Sequence, residues 1–148
     1  MRVSLPDVNM LIALAWPSHA HHRVAQSWFA EHALAGWATC PLTQCGFVRI
    51  SANSKIIPEA VTPREALSLL GEIVKHKSHV FWPDELGLLD THVPSGLLVG
   101  HRQVTDAYLL GLAIRRGGRL VTLDAGISAL LPMNSPHRHA LCVVPVGG

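Results

Sequence analysis

Short apolar runs alternate with helix-patterned segments along the whole chain, and that alternation constrains the fold most. VSLP, WATC, HVFW, RLVTL and ALCVVPV are short, apolar and β-prone. VNMLIALA is apolar nearly all round and predicts a buried helix, stopped by Pro17 and Ser18. HHRVAQSWFAEHALAG sets Val24, Trp28, Phe29 and Ala33 at helical spacing, with Gly36 as its stop. PLTQCGFVRISAN does the same with Leu42, Phe47 and Ile50, starting from Pro41. TPREALSLLGEIVKH has a Thr62 cap, Pro63 in the first turn and Glu65 three residues after the cap. TDAYLLGLAIRRGG is the clearest helix, ending in two arginines and Gly117–Gly118. LDAGISALL reads as a turn with a short helix, and residues 83–100 as short helical turns and loop. Strands that alternate with helices imply an α/β fold, a parallel sheet covered on both faces. In such sheets functional groups collect at the carboxyl ends of the strands.

The length of 148 residues suits one domain, 1–148, with a real core. A content of 49% apolar and 15% charged residues excludes a disordered chain. The net charge of +2 does not by itself identify a nucleic-acid partner. Cys40, Cys45 and Cys142 form no CxxC pair, and an odd count without a framework predicts reduced thiols in the cytoplasm. No apolar run approaches the roughly 18 residues of a membrane span, so no membrane association is expected. Asp7 and Asn9 interrupt the apolar stretch behind Arg2, which argues against an export signal.

Only ten acids occur in the chain, so their positions are informative. Asp7 follows the first strand, and Asp124 follows the fourth, in LVTLD. Asp106 lies in the first turn of the helix that leads into that fourth strand. Two of the three therefore end parallel strands at one sheet edge, and the third begins the helix beside them. Converging carboxylates repel, and each raises its neighbours' pKa values. A hard divalent cation removes that cost, and oxygen ligands suit Mg²⁺ or Mn²⁺. Each acid also has a purely structural reading. Asp7 suits the N-cap of the helix after it. Asp106 suits the positive end of its helix, with Thr105 as the alternative cap. Asp124 suits a turn before Ala125–Gly126.

LPDVNMLIAL near the start, TCPLTQCGFVRI in the middle and VTDAYLLGLAIRRGGRLVTLD near the end resemble the PIN-domain ribonucleases, most closely the VapC toxins of bacterial toxin–antitoxin pairs. The resemblance runs in order from Leu5 to Asp124. It implies a three-layer α/β/α sandwich with a five-stranded parallel sheet, and endonuclease action on RNA that depends on Mg²⁺ or Mn²⁺. The family's three acids match Asp7, Asp106 and Asp124; the Asn of its first motif matches Asn9, and the hydroxyl residue near its last acid matches Thr122. The chain departs from the family at Gln44, where a Glu is usual. A neutral amide holds a water or accepts a hydrogen bond but supplies no ligand charge. Asp84 in FWPDELGLLD is an alternative acid, or a cap for ELGLL.

These residues predict hydrolysis of a phosphodiester with no protein nucleophile, since the chain lacks a GxSxG elbow and a recognisable nucleophilic cysteine. Asn9 would orient Asp7 or a water, and Thr122 or Thr105 would donate to a carboxylate. Arg49, just over one helical turn beyond Gln44, is a candidate RNA contact. Arg115, Arg116 and Arg119 fit a helix C-terminus better than RNA, and Lys55 and Arg102 stay undecided. Trp28 and Trp82 read as core. The resemblance also implies a small VapB-like antitoxin, whose C-terminal segment would cover the acids with an arginine among them. The helices around residues 19–35 and 63–77 would share in that contact or form a homodimer face. Three rival readings exist. A haloacid-dehalogenase-type phosphatase wants an acid where Asn9 stands. A PIN-like RNA- or antitoxin-binding module without cleavage is favoured by Gln44. A purely structural α/β domain leaves the three acids unexplained.

Overall fold

Ser4, Leu5 and Pro6 are all buried and form strand β1 (Ser4–Pro6), the centre of the sheet. The computed structural model describes residues 2–147. Pro6 has no N–H to give the ladder, yet it is tolerated because it ends the strand; the next N–H, of Asp7, donates to Val121 O at 2.9 Å. The other strands are β2 (Trp37–Thr39), β3 (His79–Phe81), β4 (Arg119–Thr122) and β5 (Leu141–Val143). All pairings are parallel, in the order β3-β2-β1-β4-β5. The chain builds outward from β1 to β3, then returns to place β4 on the other side of β1. Strand order therefore reverses between β1 and β4, and a crevice opens there at the carboxyl edge.

Adjacent residues of β4 bury on opposite faces, as the pleat requires. Leu120 packs with Leu5 and with Leu109, Leu110 and Leu112 of helix α5 (Val104–Arg116). Val121 packs with Met10 of α1 (Val8–Ala15) and Trp28 of α2 (His22–His32). Leu11 and Ile12 of α1 join Phe47 of α3 (Pro41–Ser51) and Leu70 of α4 (Pro63–Ile73) in a third cluster. The result is the expected α/β/α sandwich. Gly117 ends α5 at φ 68, a left-handed conformation suited to glycine.

The capping box read from the sequence forms at the start of α4. Thr62 Oγ1 accepts the Glu65 N–H at 3.1 Å, and Glu65 Oε1 accepts the Thr62 N–H at 3.2 Å. Thr62→Ala is expected to cost about 1 kcal/mol, measured as a lower midpoint in urea with an unchanged slope.

Two expectations are corrected. The segment after α2 tightens into a 3-10 turn, Ala33–Ala35, which Gly36 ends at φ 107, so the helix does not run on to Gly36. Residues 83–100 carry no helix; the first helical turn beyond them is the 3-10 turn His101–Gln103. Leu86 and Val93 anchor this segment singly in the α5-side core rather than as a periodic face. Asp84 therefore caps nothing, and instead accepts the Tyr108 hydroxyl.

Candidate active site

Asp7 is the N-cap of α1. Its Oδ1 accepts the Met10 N–H at 2.8 Å, and the residue is only 7% exposed. Asp124 caps the 3-10 turn Ala125–Leu130, with Oδ1 accepting the Gly126 N–H at 2.8 Å. The structural readings of these two acids are thus correct as far as they go. Asp106 lies in the first turn of α5, at the positive end of that helix as its structural reading expects, but it is not a cap: Gln103 occupies the N-cap and makes no side-chain cap bond there. Thr105 is not the cap either.

All three acids line one cavity of about 220 Å³ at the β1–β4 crevice, with Val8, Asn9, Thr105, Leu109 and Ile127. Burial is the main force that raises the Asp7 pKa, and the Asp124 charge adds to it; hydrogen bonds from Thr122 and from the Met10 N–H pull the other way. Asp106 is pushed up to about 6, first by burial and then by the charges of Asp7 and Asp124. The three charges therefore act on one another. Buried Thr122 links two of them, because its Oγ1 also accepts the Asp124 N–H at 3.0 Å. Among the described residues no three acid, His or Cys side chains close into a ready-made ion cage. The donor set is nevertheless the oxygen-only kind that a hard cation takes. Burial raises the affinity of Asp106 for a proton most, and the repulsion from Asp7 and Asp124 that adds to it is the part such an ion would relieve.

The other expected residues are placed as follows. Asn9 lines the cavity, with Oδ1 held 3.1 Å from His19 Nε2. Thr105 lines both the cavity and an adjoining pocket with Asp84 and Tyr108. Gln44 and Arg49 lie outside the acid cavity, in a groove of about 440 Å³ shared with Cys45, Leu67 and Phe81. The Gln44 amide donates to Thr39 Oγ1 at 3.0 Å, a bond a carboxylate has no proton to make. Arg116 pairs with Glu85 at 2.7 Å, and Arg119 donates to Ser4 Oγ at 3.0 Å, both remote from the carboxyl edge. Lys55 and Arg102 are exposed, and Arg102 sits just before α5. Sequence reasoning missed the apolar wall of Leu109 and Ile127. The spacing of Leu109, three residues after Asp106 on one helix face, was the available signal.

No family model matches the chain. Curated relatives from Mycobacterium tuberculosis do. Ribonuclease VapC38 is 52% identical over 128 residues, 86% of this chain and 89% of that protein. Ribonuclease VapC39 is 44% identical over 126 residues, 84% of this chain and 91% of its own length. The chain belongs to the VapC ribonuclease family. A more divergent member, Ribonuclease VapC44, is 36% identical over 137 residues, covering 92% of this chain and 96% of its own. The family recognised from three motifs thus holds across most of the molecule, and the parallel sheet has the PIN-like arrangement that the resemblance implied. Among the described residues no helix is long and apolar enough to cross a membrane.

Proposed function

We propose that the chain is a metal-dependent endoribonuclease toxin that hydrolyses RNA phosphodiester bonds at the β1–β4 cavity. The observation that carries this reading is the single cavity shared by Asp7, Asp106 and Asp124, in a chain whose relatives are named ribonucleases. The three carboxylates would hold Mg²⁺ or Mn²⁺, which polarises a phosphoryl oxygen and lowers the pKa of bound water. Cap bonds fix the Asp7 and Asp124 side chains before any substrate arrives. Thr122 holds the β4 end to which Asp124 is attached. Val8, Leu109 and Ile127 wall the cavity with apolar surface, which strengthens every charge interaction inside it.

The partner this reading implies is a VapB-like antitoxin. A mainly apolar groove of about 910 Å³ runs past Leu14, Phe29, Leu34, Leu70 and Ile73 and suits an apolar segment of that partner. A second copy of the chain is the competing occupant, and solution mass of the free chain distinguishes them.

The test is cleavage of a labelled mixed RNA pool by the purified chain with Mn²⁺, Mg²⁺ or EDTA. Asp7→Asn is the better control than Asp7→Ala, because its amide oxygen can still cap α1. Cleavage is expected only with metal and only in the wild type. Protons and metal compete for Asp106, which is pushed up to about 6 in the metal-free chain, so the metal concentration needed for cleavage should rise as pH drops below about 6. A folded wild-type chain that binds RNA and cuts none favours the second reading, a binding module. That reading draws on Gln44, seated against Thr39 outside the acid cavity.

A further inference from the structure

We propose that Asn9 presents its amide N–H groups, not its oxygen, to the acid cavity as a donor to phosphate oxygen, and that His19 is the residue that turns it that way. The inference rests on the ribonuclease reading for the anion Asn9 meets, but the orientation of Asn9 follows from hydrogen bonds alone.

The backbone N–H of His21 donates to His19 Nδ1 at 3.0 Å. A backbone N–H has no other role, so Nδ1 carries a lone pair. The neutral imidazole then has its proton on Nε2. Nε2 lies 3.1 Å from Asn9 Oδ1 and donates to it. Turning the amide over would set N–H against N–H. Burial, together with the positive charge His21 and His22 can carry, lowers the His19 pKa, which favours the same neutral form.

The turn that carries His19 is itself fixed. The His19 N–H donates to Trp16 O at 3.0 Å, and the His22 N–H to His19 O at 3.1 Å. His22 Nδ1 contacts Ala13 O at 2.7 Å, tying the start of α2 to the end of α1. His19 therefore holds the Asn9 oxygen from a rigid base. An amide oxygen can take a second partner, but with Oδ1 turned toward His19 the Nδ2 hydrogens, which have no hydrogen-bond partner among the described residues, are the donors Asn9 keeps free. The charged groups of the cavity lining are all carboxylates, which accept and do not donate. An N–H does not coordinate a cation. It does match an anionic phosphoryl oxygen, the group that gains charge as a phosphodiester is attacked.

The first measurement is the imidazole ¹⁵N spectrum of the metal-free chain at pH 7, with His19 assigned by its loss in His19→Gln. A protonated Nε2 and a bare Nδ1 are expected; the reverse tautomer overturns the proposal. The second is Asn9→Asp, which keeps the shape and the acceptor for His19 but removes both donors. It should bind Mn²⁺ at least as tightly as wild type by calorimetry, yet lose cleavage roughly 10- to 1000-fold in kcat. Were Asn9 an oxygen ligand, this substitution would serve the ion equally well, so wild-type cleavage overturns the proposal. The third separates positioning from bulk structure. His19→Gln places an amide N–H where Nε2 was and should cleave near the wild-type rate, whereas His19→Ala should not. Equal losses in two variants of wild-type melting temperature count against His19 as the positioning group. If the wild type cuts no RNA at all, the ribonuclease reading fails by that result, while the tautomer still decides which way Asn9 faces.

Discussion

Asp106→Asn is expected to abolish RNA cleavage while making the metal-free chain more stable at pH 7. Asp106 is the one acid of the three that no helix cap explains, and its pKa is raised to about 6 from 3.8. A raised carboxylate pKa means the folded state binds the proton more tightly than the unfolded chain. Stability therefore falls as pH rises from about 4 to about 6, and the full penalty is present above that. Asparagine removes the charge and the penalty together. Asp106 is partly exposed, so solvent screens the effect to about 1 kcal/mol, or roughly 2–4 °C in Tm for a chain of this size. Melting in EDTA across pH 4–8 should show the variant above wild type at pH 7 and level with it near pH 4. Cleavage should drop by at least about 10²-fold, the scale of losing one preorganised electrostatic group. A variant with the wild-type pH slope would mean that the Asp106 carboxyl is not raised in the folded chain.

Two glycine substitutions should be among the most damaging to folding, and they should differ in whether a second change repairs them. A Cβ on Gly111 of α5 would stand 2.8 Å from Val93 Cα and 3.1 Å from Val93 N, against backbone that cannot rotate aside. A Cβ on Gly46 of α3 would collide instead with the Val8 side chain. Each Gly→Ala change is expected to cost about 1–3 kcal/mol as overpacking. Val8→Ala should relieve Gly46→Ala, with a coupling of about 0.5–3 kcal/mol in a double-mutant cycle. Val93→Ala should relieve Gly111→Ala only in part, because it removes the Cγ2 contact at 2.8 Å but leaves the main-chain contacts at 2.8 and 3.1 Å. Val8 follows Asp7 directly, so Gly46→Ala should also lower cleavage. Chemical denaturation of the four single and two double variants checks the pattern.

Much of the framework was readable in the residues because local signals and tertiary demands agree. VNMLIALA became α1 over Val8–Ala15, and Thr62, Pro63 and Glu65 started α4 where a capping box should. All five short strands formed where apolar β-prone runs stood. The segment 83–100 was not readable, because Leu86 and Val93 are single anchors with no period. Nor does local pattern reveal that Gly111 is needed for close passage of that segment. In the site, strand ends and a first helical turn pointed to Asp7, Asp106 and Asp124, which share one cavity. The same signals could not show that Asp7 and Asp124 are caps and cavity walls at once. Gln44 stood in the motif expected near the acids, yet its bond to Thr39 places it in the next groove. His19 gave no signal at all, since a contact across the α1–α2 turn has no periodicity.

The pairing of β1 with β4 also sets a clock. Ser4 and Arg119 are 115 residues apart, and their strands must close that span before Asp7 meets Asp106 and Asp124. Contacts of such long sequence separation form late, after the local helices. Until residues 119–124 are made, Asp7 has no Asp124 with which to share its cavity. The destructive chemistry proposed for this molecule is therefore withheld from the machinery that makes it until β4 slides in beside β1.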